Sequence, residues 1–126
     1  MKKSIFLSSL LALGVVSVVF AGTLFSAIKW VETEHNFGKI AKNKPVTAEF
    51  KFTNTGTEPL IISNARGSCG CTGVEFPREP LMPGTSGVVK ATFNAANVGT
   101  FNKSVTVESN AEAGTVVLQI QGEVVE

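Results

Sequence analysis

Two cysteines, Cys69 and Cys71, stand one residue apart in the stretch Gly67-Ser68-Cys69-Gly70-Cys71-Thr72, and the chain has no other thiol. Three kinds of chemistry suit such a pair. In an oxidising compartment the available intramolecular bridge is Cys69–Cys71, which closes a very small, strained ring that should be easily reduced. Gly70 is expected to ease that closure, because glycine reaches backbone angles barred to other residues. The spacing is not the Cys-x-x-Cys of thioredoxin-like couples, and no helix N-terminus is in prospect to depress a thiol pKa. Two thiolates this close also make a partial site for a soft ion such as Cu(I), or for Zn²⁺ with added ligands. His35 is the single imidazole and Met82 the single thioether beyond the initiator; nothing in the sequence places either near the pair, and His35 becomes a third ligand only if strand pairing folds it next to the loop. The reading that asks least is a pair of small, buried hydrophobes in a tight glycine-rich loop.

Little else in the chain is reactive. It contains ten Glu but no Asp and no Tyr, so a Ser/His/Asp arrangement is ruled out and a Glu-based one would have to recruit His35 without a supporting motif. No glycine-rich phosphate loop is present. Arg66 precedes the cysteine loop, where a cation would favour a thiolate, although a strand-end surface charge is its ordinary role. Trp30 reads as a core aromatic, with an exposed binding anchor as the alternative.

The elements that must position these residues are strands. Val46, Ala48, Phe50 and Phe52 alternate with Thr47, Glu49, Lys51 and Thr53, the period of a half-buried strand. The same period recurs in Ser86–Asn94, in Phe101–Ser109, where Phe101, Val105 and Val107 share a face, and in Thr115–Val125. Shorter apolar runs lie at Leu60–Ile62 and around Ile28–Phe37. Asn54-Thr55-Gly56, Pro83-Gly84 and Asn110–Gly114 supply turn chemistry between them. Three prolines make Phe76–Gly84 an irregular crossover. The expectation is one all-β domain, an immunoglobulin-like antiparallel β-sandwich of about seven strands.

Residues 1–21 are expected to lie outside that domain. Lys2 and Lys3 precede the apolar run Ile5–Phe20, and Val19-Phe20-Ala21 offers a cleavage site before Gly22, the pattern of a secretory signal peptide. An uncleaved membrane anchor is the alternative, and the run is nearly long enough for one. On either reading residues 22–126 are exported, to the periplasm, the cell envelope or the medium. Without Lys2 and Lys3, nine Lys and Arg face ten Glu. A near-neutral domain without a basic stripe is a poor match for nucleic acid, and any membrane contact would run through the N-terminal segment.

Between His35 and Asn110 the sequence resembles the DUF1573 family of exported bacterial proteins. The resemblance rests on Phe37-Gly38; on Phe50, Phe52, Asn54 and Gly56; on Pro59, Leu60 and Ile62; on Ser68–Thr72; and on Pro83-Gly84 and Ser109-Asn110. One departure is Lys42-Asn43, where the family commonly has a glycine before the next strand. The resemblance implies an immunoglobulin-like sandwich in the style of ASH or MSP-like domains, and supplies no reaction. The expected function is therefore non-enzymatic: a module without a cofactor that binds a protein or another envelope component. The alternative is a small thiol-redox or Cu- or Zn-binding protein acting through Cys69 and Cys71.

Overall fold

The computed structural model describes residues 25–126, and the proposed signal peptide, residues 1–21, lies outside them. Eight strands form: β1 (Ile28–Trp30), β2 (Glu34–Ala41), β3 (Val46–Asn54), β4 (Ile62–Gly67), β5 (Thr72–Glu75), β6 (Ser86–Phe93), β7 (Gly99–Ser109) and β8 (Thr115–Val125). They make two four-stranded sheets, in the orders β1-β3-β6-β5 and β2-β8-β7-β4. Alternation is the cause. On β3, Ala48, Phe50 and Phe52 are buried while Glu49 and Lys51 are exposed, so one face must be covered by a second sheet.

That second sheet supplies Val105 and Val107 from β7, with Leu118, Ile120 and Val124 from β8. Phe50, Phe52, Leu60, Val89 and Leu118 are wholly excluded from solvent. Each such side chain stabilises the fold by roughly 1.5–3 kcal/mol. Trp30 packs on Phe52 with ring centroids 5.0 Å apart, so it belongs to the periphery of the core.

The structure departs from the expected strand plan in four places. The apolar run around Ile28–Phe37 divides into β1 and β2, which join opposite sheets. A short strand, β5, follows the cysteines and brings the count to eight. The sandwich is also not wholly antiparallel: β2 runs parallel to β8, with His35 beside Ile120 and Ile40 beside Val124. Lastly, the proline-rich segment does not cross between sheets but returns the chain from β5 to its own neighbour, β6. The cysteine loop, between β4 and β5, is one of the connections that do cross from one sheet to the other.

Most residues that carry the family resemblance have framework tasks. Gly38 adopts φ +70 at a break in the β2–β8 register, where its N–H donates to Asn36 Oδ1 at 2.8 Å. Asn43, in the expected glycine turn, takes φ 62 and donates its N–H to Ala95 O at 2.8 Å. Asparagine tolerates that left-handed region better than most residues, so the departure preserves the turn.

Asn54 is fully buried and fully bonded. Its Nδ2 donates to Glu58 O at 2.8 Å and to Leu81 O at 2.9 Å, and its Oδ1 accepts from Gly56 N–H at 2.9 Å. A Cβ at Gly56 would collide with the backbone of Phe25 and Ala27, which fixes glycine there. Asn54→Ala removes three partners from buried backbone groups and should lower stability by about 3 kcal/mol. Thr47→Ala, which loses only an exposed hydroxyl contact to Thr92, should cost about 0.5 kcal/mol. Urea denaturation of the two variants measures the contrast.

Candidate functional site

The cysteine loop closes one end of the sandwich. Ser68 anchors it to β7: its N–H donates to Ser104 O at 2.8 Å, and its Oγ accepts from Ser104 N–H at 3.2 Å. Thr72 N–H then donates to Cys69 O at 3.3 Å, which makes Cys69–Thr72 a β-turn. On the far side Cys71 O accepts from Asn94 N–H at 3.0 Å, tying the loop to the end of β6.

Cys69 and Cys71 are joined by a disulfide across this turn, with their Cα atoms 5.2 Å apart. Both are half-buried, Cys71 packs against the core, and Gly70 is exposed between them. The buried Thr72 hydroxyl lies 3.9 Å from each sulfur.

Gly70 does not play its expected part. Its φ is not positive, and a Cβ there would meet nothing within 4 Å. A turn of this kind accepts most residues. Gly67 is the constrained glycine instead: a Cβ would stand 3.0 Å from both Thr72 Cβ and Thr72 O.

The other candidates do not gather at the pair. His35 lies on the edge strand β2, with β8 and β7 between it and β4. Three strand spacings of about 4.8 Å put it roughly 14 Å away. Its ring instead approaches Glu32 at 3.4 Å and packs edge-on against Phe37, with centroids 4.6 Å apart. Met82 precedes β6, whereas Cys71 is bound to the residue following that strand. The eight-residue length of β6 separates them by roughly 24 Å. Among the described residues, no three His, Cys, Asp or Glu side chains form a metal-binding group. Arg66 points its guanidinium to Glu108, at 3.3 Å, along β7 and away from the loop.

A different cation accompanies the cysteines. Lys103 and Cys71 line one cavity of about 160 Å³ with Phe93, Asn94 and Phe101. In β7, Lys103 shares the inward phase of Phe101, Val105 and Val107, and it is only half-buried because the loop end is open. Its aliphatic stem can lie along the core edge while the ammonium reaches water. Sequence reasoning passed over it, although a lysine on the core phase of a strand was a visible irregularity.

Comparison with known proteins places this geometry in a family. The profile of DUF1573, a protein of unknown function, matches residues 28–124, from the first residue of β1 almost to the end of β8. The chain belongs to the DUF1573 family. No curated protein matches the sequence. Among solved structures, a protein of unknown function from Porphyromonas gingivalis W83 is similar at TM-score 0.70 and 14% identity, over 82% of this chain and 50% of that one. This DUF1573 chain thus spans half the length of that relative. The ASH/PapD-like domain of human CEP192 is similar at TM-score 0.65 and 14% identity, over 82% of this chain and 89% of that domain. The VesB protease of Vibrio cholerae follows at TM-score 0.64 and 16% identity, over 76% of this chain but 31% of the protease. At these identities the likeness is one of fold: an immunoglobulin-like sandwich of the ASH/PapD-like kind.

A ring closed over so few residues restricts the unfolded chain little. The chain-entropy relation gives about 1.6 kcal/mol for a three-residue loop. Reduction of Cys69–Cys71 should therefore lower stability by no more than about 1.6 kcal/mol. Gly67→Ala should cost at least about 1 kcal/mol through its clash with Thr72, and Gly70→Ala under about 0.5 kcal/mol. Urea titrations of the oxidised, reduced and substituted chains report all three.

Proposed function

We propose that this chain is an exported, non-enzymatic immunoglobulin-like module that binds an extended segment of a partner protein along the free edge of β3. The observation that carries the reading is the mismatch between β3 and its neighbour. β1 has three residues and covers only Phe52–Asn54 of the nine-residue β3, and Val31 N–H extends the cover to Lys51 O at 2.9 Å. Asn54 N–H donates to Thr85 O on the β6 side, so along β3 the odd-numbered residues direct their backbone groups outward. Thr47 and Glu49 accordingly present N–H and C=O groups with no strand beside them among the described residues. Such an edge accepts an added strand, with backbone hydrogen bonds supplying affinity.

The absence of a catalytic constellation in the sequence and the near-neutral charge of residues 22–126 support a protein partner over nucleic acid or a charged surface. The Lys2-Lys3 segment and its apolar run support export. The disulfide accords with an oxidising compartment.

Proline at position 49 separates this edge from the fold. Glu49 turns its N–H outward, so Glu49→Pro removes a donor from the free edge and none from the β3–β6 ladder. Photo-crosslinking from position 51 in envelope extracts should yield adducts with the unsubstituted edge and lose them about tenfold in Glu49→Pro, at an unchanged melting temperature. Equal crosslinking in both would overturn the edge reading. N-terminal sequencing of the protein recovered from cells should begin at Gly22; a chain that retains Met1 and sediments with membranes supports the anchor instead.

A further inference from the structure

We propose that the Cys69–Cys71 disulfide is a directional thiol-exchange site, attacked at Cys69 and releasing Cys71 as a thiolate beside Lys103. The inference stands apart from the strand-edge reading and survives its failure.

Three observations carry it. The two sulfurs differ in setting: Cys71 packs against the core cluster and Cys69 does not. The outer sulfur is therefore the accessible electrophile, because exchange requires the incoming thiolate to approach in line with the bond. The leaving side is prepared for negative charge. Lys103 shares the cavity with Cys71, makes no ion pair among the described residues, and sits where an apolar residue would continue the inward row of β7. The Thr72 hydroxyl, 3.9 Å from each sulfur, can donate to a thiolate at either position, so the direction rests on Lys103 and on the packing of Cys71. A neighbouring cation and a hydrogen-bond donor both favour a thiolate leaving group. The third observation is energetic: a bridge over three residues contributes little stability, so the fold does not require it to stay closed.

A deprotonated thiol uses its electron pair to bond to Cys69 Sγ, and the Cys69–Cys71 bond breaks with its pair retained on Cys71 Sγ. One disulfide is consumed and one formed. Where the partner carries a second thiol, that thiolate attacks the mixed disulfide and releases Cys69. The partner dithiol is then oxidised by two electrons and the Cys69/Cys71 pair is reduced. The substrate class is a thiolate, from a small thiol or from a cysteine of a polypeptide.

The test exposes the oxidised full chain to reduced glutathione, and in a second arm to a neutral peptide with one cysteine. Acid quenching, alkylation and tandem mass spectrometry then locate the adduct. The expected product carries the probe on Cys69 and the alkyl group on Cys71 in both arms. A faster peptide arm assigns the physiological thiol to proteins and a faster glutathione arm to small molecules; both uphold the site. Lys103→Met should slow adduct formation about fivefold, the scale of one partly solvated charge, and Lys103→Arg should restore it. Urea midpoints confirm that both variants remain folded. An adduct on Cys71, an even distribution, a bridge inert to millimolar thiol, or an unchanged rate in Lys103→Met overturns the proposal.

Discussion

The carboxamide of Asn54 is the constraint around which the sandwich is organised. A buried amide costs free energy unless its hydrogen bonds are made, and here all three are made to backbone, two in the turn after β3 at Gly56 and Glu58 and one at Leu81. Glu58 belongs to the turn that leaves β3, and Leu81 to the segment that leads into β6. The backbone of Asn54 adds bonds to Thr85 and Gly84. Loops without regular structure are thereby held as firmly as strands. The isolated pairing of Leu60 with Leu81 and the close approach of Gly56 to Phe25–Ala27 follow from the same fixation. No residue of similar size but different chemistry could serve three such partners at once.

This places rigidity at one end of the molecule and leaves the other end different in kind. At the Asn54 end the chain is closed by hydrogen bonds with nothing reactive among them. At the opposite end the chain passes from sheet to sheet through Ser68–Cys71, and the closure is a covalent bond that thiols can open. Thr72 stands at the junction, its backbone in β5 and its hydroxyl between the two sulfurs. A loop that must bridge two sheets cannot drift far when its disulfide opens, because Ser68 and Asn94 hold it on both sides. The fold thus supplies a fixed frame for a changeable bond.

How much of this could be read from the residues varied with the range of the interaction. Strands β3, β6, β7 and β8 were legible because period-two alternation is local and long enough to see. The division of Ile28–Phe37 was not, since nothing within that stretch says that Trp30 will pair with Phe52 and His35 with Ile120. Four residues, Thr72–Glu75, are too few to announce a strand. Within the site, the closeness of the two cysteines was legible from their spacing alone. The remoteness of His35 and the companionship of Lys103 were set by strand order, which is a property of the whole sheet. Gly70 misled for a related reason: a glycine suggests an unusual backbone, yet the turn that formed required none.

The parallel pairing of β2 with β8 gives the order of assembly a direction. Two strands at opposite ends of the sequence are direct neighbours, and β2 meets its own sheet nowhere else. Contacts this distant in sequence form slowly and only after both partners are available. A ribosome emitting the chain from its N-terminus can release β1 and β3 to pair early, but β2 must wait until Thr115–Val125 has emerged. The sandwich therefore stays open along one side throughout synthesis.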